Sequence, residues 1–331
     1  MGLNTTAQTT PLLLVGEALR EHFFSLDSLA ALKLLPMFGT QFERGNYPRI
    51  LRGQSLAEEE TIRELRSTYA QGEYKVGERS FDCKESAFEI PMDLRELKFY
   101  ASMFDAGLEA SRQAMWKVAM AAERETSSLF INTTTFSTGN GKRTDVSSAW
   151  TNAAANIIQD VGTAIEAICA RTGADADELS GSKFKFWIPA TDLRYLIRVN
   201  TEIRDSLRYV MVLGIDAIKV ELAKVLGVDE VVVPRLRSNS AGEAAADTYT
   251  SSSVFGSGWA GVVLTPGEGS ITSPGFGRTF VWEEMSPGGI VAESYPDEKK
   301  NSIVFRARWH RDLNQTDSEF AQLIDTDIVS H

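Results

Sequence analysis

The chain has 331 residues, 43% of them hydrophobic and 24% charged, so it can bury a large core without disulfides or a structural metal. Its 45 acidic and 34 basic residues give a net charge of −11, and no Lys/Arg run exceeds two residues. This excludes a dedicated nucleic-acid reader, which needs a basic face or tract. The two cysteines, Cys83 and Cys169, form no CxxC pair, which indicates neither a zinc site nor a disulfide framework and favours a reducing compartment.

The first predicted element is an amphipathic helix that follows a polar tail at residues 1–10. Its apolar residues recur at helical spacing up to Pro36 and are Leu12, Val15, Leu19, Phe23, Leu26, Leu29, Leu32 and Leu35. Charged residues interrupt this stretch, so it cannot cross a bilayer, and it lacks the pattern of a signal peptide. We therefore expect a soluble protein made in the cytoplasm. The helix docks either on a neighbouring subunit or within its own subunit, and the sequence leaves both readings open.

The pattern of apolar and charged residues changes at residues 68–91, after a short polar helix predicted at 58–66. Aromatic and branched residues alternate there with charged ones, and Gly72 and Gly77 provide turn points. This alternation predicts a two-stranded β-hairpin. Such a ribbon is only marginally stable alone, so we expect it to lie on another element.

The chain is organised around residues 93–131. Asp93 and Glu96 form a capping-box pattern at a helix start. The apolar stripe that follows consists of Leu94, Leu97, Ala101, Phe104, Leu108, Met115, Val118, Ala122 and Leu129. An unbroken helix would be about 60 Å long. Asp105 and Gly107 predict a kink or a restart.

The second half of the chain reads as an α/β lobe followed by short strands. A Ser/Thr/Gly loop at 133–148 precedes the lobe, and a charged segment without a predicted helix or strand is expected at 200–214. The predicted helices are 149–172, capped by Ser147 or Ser148 and ended by Gly173, then 191–199 and 216–226. The predicted strands are 183–189, 228–234, 259–265, 278–283, 290–295 and 303–312.

Motifs with catalytic or cofactor chemistry do not find their required context. Residues 256–261 match G-x-G-x-x-G, but a strand follows them, whereas a dinucleotide site needs a helix there. The kinase-like run beginning at His310 lacks its downstream segments, and the three histidines have no metal-ligand spacing. The carboxylates of residues 58–60 and of Glu283 and Glu284 fit a solvated face or ion pairs better than acid–base catalysis. The sequence therefore assigns no catalytic, cofactor-binding or metal residue and predicts that the protein is not an enzyme.

The order of the elements resembles the major capsid proteins of tailed bacteriophages, which have the Hong Kong 97-type fold. The sequence segments on which this resemblance rests are residues 88–91 (FEIP), 157–173, 186–189 (FWIP), 222–228 (LAKVLGV) before 231–233 (VVV), 259–266 and 274–280 (PGFGRTF). The resemblance implies an α+β fold with an N-arm, an extended β-hairpin loop, a peripheral domain built on a long spine helix, and a compact α/β axial domain. The implied ranges are 1–45 for the N-arm, 46–92 for the extended loop, 93–150 for the peripheral domain with the spine helix, 151–274 for the axial domain and 275–331 for return strands of the peripheral domain.

The resemblance also implies a structural role in a virion. Copies of the chain would self-assemble as a homo-oligomer into pentamers and hexamers of an icosahedral viral head, assembled in the host cytoplasm. The implied partners are the chain itself, portal and scaffolding proteins, decoration proteins, and packaged double-stranded DNA held without sequence specificity, with no membrane. The chain has no room for a long cleaved scaffolding region, so we expect a separate scaffolding protein or none, and no cross-linking Lys–Asn pair is identified.

Two other functions stay open on the sequence alone. One is an encapsulin-like compartment, which has the same fold but encloses protein cargo. The other is a cytosolic α/β enzyme with an unrecognised site.

Overall fold

The computed structural model describes residues 29–50, 76–101, 105–173, 182–208, 215–239, 251–267 and 273–328. The helices in these ranges are α1 Ala30–Leu34, α2 Leu94–Tyr100, α3 Ala106–Phe130, α4 Ile157–Thr172, α5 Ala190–Val199, α6 Thr201–Ser206 and α7 Ile215–Leu226. The strands are β1 Met37–Thr40, β2 Arg44–Ile50, β3 Val76–Asp82, β4 Lys84–Asp93, β5 Arg143–Asp145, β6 Lys183–Trp187, β7 Glu230–Val232, β8 Arg237–Asn239, β9 Ser251–Ser253, β10 Trp259–Thr265, β11 Gly277–Trp282, β12 Val291–Asp297, β13 Ser302–Gln315 and β14 Ala321–Asp325.

The predicted long helix is two helices, and the break falls where the sequence predicts it. Asp93 and Glu96 form the predicted capping box at the start of α2. Asp105 restarts the chain as the N-cap of α3, and its side chain accepts a hydrogen bond of 3.0 Å from the Leu108 N–H. With 25 residues, α3 is about 37 Å long, which is the length of a spine rather than of an average helix.

The first sheet has β13 at its centre. β4 pairs antiparallel with one edge of β13, while β12 and β11 pair with the other edge, and β1 runs parallel to β11. The spine helix α3 packs across this sheet. Small residues of α3 let it approach closely, and the buried cluster between them consists of Leu29, Ala114, Met115, Val118, Ala119, Ala122, Val281, Ile290, Ala292, Ala307 and Trp309.

The second sheet has the strand order β5-β14-β10-β6-β7. Helix α4 packs on β14 and β10, and α7 packs on β7, which encloses the larger of the cores. Phe130, at the end of α3, enters this core and contacts Phe276 with ring centroids 4.7 Å apart. The spine helix therefore joins the two packed layers of the molecule. Gly173 ends α4 with a φ of 63°, and Gly227 follows α7 with a φ of 68°. Glycine adopts this left-handed conformation without strain.

The predicted hairpin at 68–91 is wrong in its pairing. Of this range the structure describes residues 76–91, which form β3 and most of β4; β3 pairs with β2 and β4 pairs with β13, so the two strands do not pair with each other. The chain changes partner at Cys83, whose N–H donates to the Glu43 carbonyl at 2.9 Å. Phe88 and Ile90 of β4 pack towards α3, because the first sheet buries their apolar face. The two-stranded ribbon is thus β2–β3, and the predicted helix at 58–66 lies outside the described residues.

Three further differences have local physical causes. The helix predicted from 149 begins at Ile157, because Trp150 is fully buried in a preceding turn and its indole donates to Asp160 at 2.8 Å. The charged segment predicted at 200–214 contains α6, since the Asn200 side chain caps it by accepting from the Ile203 N–H. The stretch after Pro36, within the predicted arm, contains β1, a strand of the first sheet.

The sheets also cross the predicted domain boundaries. β14 was expected among the peripheral return strands, but it lies between β5 and β10 in the second sheet. β5, predicted within the peripheral range, pairs with β14 in parallel. The chain turns into the second core at Phe320, which is buried there together with Leu323. The remaining return strands, β11 to β13, do lie in the first sheet with α3 packed on them.

Candidate assembly surfaces

Strands β2–β3 and helix α2 lie outside the two cores, whereas residues 29–40 contact both of them. We call β2–β3 the ribbon, residues 29–40 the arm segment, and α2 the exposed helix. Each is joined to the body by contacts that the structure resolves. The ribbon and the exposed helix are the candidates for contact with other copies of the chain.

The ribbon is antiparallel, in register from Arg44 opposite Asp82 to Ile50 opposite Val76. Its base is apolar: the Phe81 ring stacks on Phe280 of β11, with centroids 4.6 Å apart and planes 10° apart. Away from the base the ribbon carries exposed side chains, and Val76 is 46% exposed. Phe42, in the turn before β2, is 69% exposed. Arg49, near the far end of the described ribbon, also contacts the body, because its guanidinium lies 3.2 Å from the Asp317 carboxylate.

Asp312 and Asn314 of β13 form a polar anchor for the ribbon. The Asn314 amide accepts from the Tyr47 hydroxyl at 3.0 Å and donates to the Ser80 carbonyl at 3.0 Å, so it holds both strands. Asp312 accepts from the Asp82 N–H at 3.1 Å. Burial raises the pKa of Tyr47 to about 12, which keeps its hydroxyl protonated as a donor at physiological pH. The anchor therefore fixes the direction in which the ribbon leaves the first sheet.

The thiol of Cys83 lies beside this anchor. Its sulfur is 3.7 Å from the Phe280 carbonyl, and burial raises its pKa to about 12. A thiol with a raised pKa supplies almost no thiolate, which is the nucleophile and metal ligand. Cys83 therefore acts here as a packing residue.

The arm segment contacts both cores. Leu29 packs in the cluster between α3 and the first sheet, while Leu34 and Leu35 are buried in the second core. Lys33 and Lys185 share the Glu230 carboxylate, at 3.2 and 3.0 Å. This part of the predicted amphipathic arm therefore packs within its own subunit. Residues 1–28 lie outside the described part of the chain, and docking of that part on a neighbour stays a prediction.

The exposed helix α2 buries none of its residues. Phe99 is 64% exposed, and Leu94 also lies on the surface. A capped helix that presents apolar side chains to solvent is typical of an interaction site rather than of a core element.

Of the residues weighed in the sequence analysis as catalytic, cofactor-binding or metal-binding candidates, those that the structure describes lie on different strands and turns. His310 is buried on β13, where its backbone N–H and its ring both meet the Ser286 hydroxyl. Strand β10 begins at Trp259, within residues 256–261, so a strand stands where a dinucleotide site needs a helix. Glu283 lies beside Gly39 at the end of β11, while residues 58–60, His22 and His331 lie outside the described ranges. Within the ranges that the structure describes, no group of three His, Cys, Asp or Glu side chains could hold a metal ion.

Sequence reasoning missed two polar positions that organise these surfaces. Asn314 anchors the ribbon from inside a strand, and Glu123 lies within the apolar stripe of α3. A signal for Glu123 was present, since it follows Ala122 and precedes Thr126 on the buried face. A charged residue in such a stripe indicates a specific buried partner. Nothing local in the sequence identifies Asn314.

Comparisons with known proteins agree with this architecture. No family model and no curated protein matches the chain. Among solved structures, the chain is similar to a phage-related protein from Bordetella bronchiseptica, with 17% identity over 95% of this chain and 96% of that one and a TM-score of 0.64. It is also similar to the capsid of a native GTA particle, with 11% identity, 89% of each chain and a TM-score of 0.53. The mature capsid of bacteriophage PhiM1 matches with 12% identity over 88% of this chain and 86% of that one, at a TM-score of 0.52.

These likenesses extend over nearly the whole chain and show its fold. The chain has the α+β fold of phage capsid subunits, the Hong Kong 97-type fold, as the sequence predicts. In the described residues, no helix combines the length and the apolar character needed to span a bilayer.

Proposed function

We propose that the chain is the major capsid protein of a tailed bacteriophage or a related particle, and that many copies form its shell. The observation that carries this proposal is the match over nearly the full length to two structures described as capsids. A partial match would fit a shared domain, whereas these two matches cover 89% and 88% of the chain. The role is structural, and the proposal includes no catalytic residue.

The surfaces fit repeated contact between copies. The ribbon and the exposed helix offer apolar side chains outside the cores, where a second copy can cover them. A standard protein interface buries about 1,600 Å². Association and ordering offset most of the resulting gain, so each contact is modest and can reverse when it is incorrect. A subunit that makes several such contacts is nevertheless held firmly.

The proposed assembly consists of pentamers and hexamers in an icosahedral head around double-stranded DNA. The net charge of −11 supports this content, because an acidic wall repels phosphates and does not bind the packaged genome tightly. Portal, scaffolding and decoration proteins belong to the same proposal, as does assembly in the host cytoplasm. The proposal keeps the predicted domain ranges, except that it assigns β5 and β14 to the axial domain.

Electron microscopy of the purified protein tests the proposal. We expect closed shells in negative stain, and particles from a producing host that contain nuclease-protected DNA. A single small species in light scattering, without shells and with the scaffolding partner supplied, would contradict it. Shells filled with folded protein instead of DNA would favour the compartment alternative.

A further inference from the structure

Glu123 occupies an unusual position for a carboxylate. It lies on α3 with only 2% of its surface exposed, next to Ala119 and Ala122 of the core cluster. Its Oε1 accepts a hydrogen bond of 2.6 Å from the Ala30 N–H and a longer one of 3.4 Å from the Ala31 N–H. These are the first two amides of α1. The spine helix thus caps the helix of the arm segment with one buried side chain.

When this carboxyl is ionised, few donors or cations in the described part of the chain lie close enough to compensate its negative charge. No donor among the described residues reaches Oε2. The charged groups of neighbouring elements are engaged elsewhere: Lys33 of α1 and Lys185 of β6 bind Glu230 of β7, and Arg311 of β13 binds Glu125. Arg124, next to Glu123 on α3, lies on the exposed side of the helix. A buried carboxylate with one satisfied oxygen is more stable in its neutral form.

The pKa of Glu123 is accordingly raised from 4.5 to about 7, because burial outweighs the two backbone hydrogen bonds. When the arm segment leaves α3, the carboxyl meets water and its pKa returns to the ordinary range. Docking of the arm segment is therefore linked to uptake of a proton. Its stabilising effect is complete below about pH 4.5, decreases as the pH rises towards 7, and is lost above that value.

We propose that Glu123 is a proton-dependent latch for the arm segment, which holds the segment on α3 when protonated and weakens that hold when ionised. The arm segment contacts both cores and connects them to the N-terminal 28 residues. The latch therefore controls how firmly the start of the chain is attached to the spine. The proposal concerns a single chain and holds whether or not the chain forms shells.

Hydrogen exchange of the Ala30–Leu35 amides measures the latch directly. We expect their protection, corrected for intrinsic exchange, to fall between pH 5 and 7 with a slope that approaches about tenfold per pH unit, since one proton is linked to docking. Above pH 7 the slope should vanish. The amides of α4 serve as an internal reference and should show no such slope.

Two variants and a control separate the latch from a general loss of stability. Glu123→Gln and Glu123→Met remove the titrating group and should each abolish the slope. Glu109→Gln, on the exposed side of the same helix, should keep the wild-type slope. A flat wild-type profile, or a Glu123→Gln profile with the wild-type slope, would overturn the proposal. If neither Glu123 variant folds, the wild-type slope alone decides.

Discussion

At the scale of single residues, the positions that matter most are those at which no other residue fits the surrounding space. Gly107 illustrates this, because a Cβ built on it would lie 2.8 Å from the Phe305 ring of β13. The sequence marks Gly107 as a weak point of the helix. In the structure Asp105 starts α3 and Gly107 allows the start of α3 to lie against the first sheet.

Substitution of Gly107 by Ala should therefore destabilise the protein, although Ala is the better helix former. We expect a loss of about 1–3 kcal/mol from overpacking against Phe305. Gly162→Ala in α4 is the matched control, because a Cβ there meets nothing within 4 Å. That variant should gain about 0.5–1 kcal/mol. Urea unfolding of unassembled subunits measures both, and a stabilised Gly107→Ala variant would contradict the packing argument.

Arg171 illustrates the same point for a polar residue. Its guanidinium donates to the Gly141 and Ala321 carbonyls and to the Gln322 side chain, and so ties the end of α4 to β14 and to the preceding loop. Burial lowers its pKa, yet an arginine stays charged in this setting.

We expect Arg171→Lys to lose about 2 kcal/mol, because an ammonium cannot reproduce the planar fork that reaches four acceptors, the Glu319 carbonyl included. The control is Arg95→Lys on α2, where the side chain is largely exposed and the change should stay within about 0.5 kcal/mol. The midpoint of urea unfolding provides the comparison. Equal effects at the two positions would show that the fork geometry is unimportant.

At the scale of elements, the direction of the ribbon depends on a few contacts at its base. The stacked Phe81 and Phe280 rings give the base an apolar contact, and the Asn314 amide joins both strands to β13. The same logic applies to the junction of α2 and α3, where Asp105 restarts the helix. Within the proposed function, a change of ribbon angle or a bend at this junction would accompany expansion of the shell. An unchanged angle between α2 and α3 in unexpanded and expanded particles would count against the bend.

Asn314→Ala should loosen the ribbon without unfolding the body. The Tyr47 hydroxyl and the Ser80 carbonyl lose their partner, so hydrogen-exchange protection in β2 and β3 should fall about tenfold, the equivalent of roughly 1.4 kcal/mol. The neighbouring Gln315→Ala variant removes a side chain of β13 outside the anchor and should leave that protection unchanged. Protection that is lost equally in α4 would indicate global destabilisation instead.

At the scale of the whole molecule, the subunit encloses two large cores while some apolar side chains remain outside them. This separation predicts variants that fold but do not assemble. Phe99 of α2 is the best position for such a test, because it is exposed and its helix buries no residue.

Phe99→Ser should leave the free energy of unfolding within about 0.5 kcal/mol of the wild type and strongly reduce shell formation. Lys98→Ser, next to it on the same helix, should assemble normally. Light scattering and negative-stain microscopy report the assembly state. Normal shells from Phe99→Ser would show that α2 is not part of an interface between copies.

The sequence alone determined the elements with strong local signals. The capping box at Asp93, the restart at Asp105, the glycine end of α4 and the buried strands β6 and β10 follow from side-chain periodicity and backbone preferences, which act over a few residues. The order of these elements was enough to indicate the capsid-type fold.

Only the tertiary structure decided which strands pair and which polar groups are buried. The partners of β3 and β4 depend on residues far away in the chain, and β14 joins the second sheet because Phe320 and Leu323 are buried in that core. The roles of Asn314 and Glu123 arise from backbone groups more than ninety residues away in sequence. Such contacts form when folding brings distant segments together, so the local pattern around Glu123 can indicate that it is buried but cannot identify its partner.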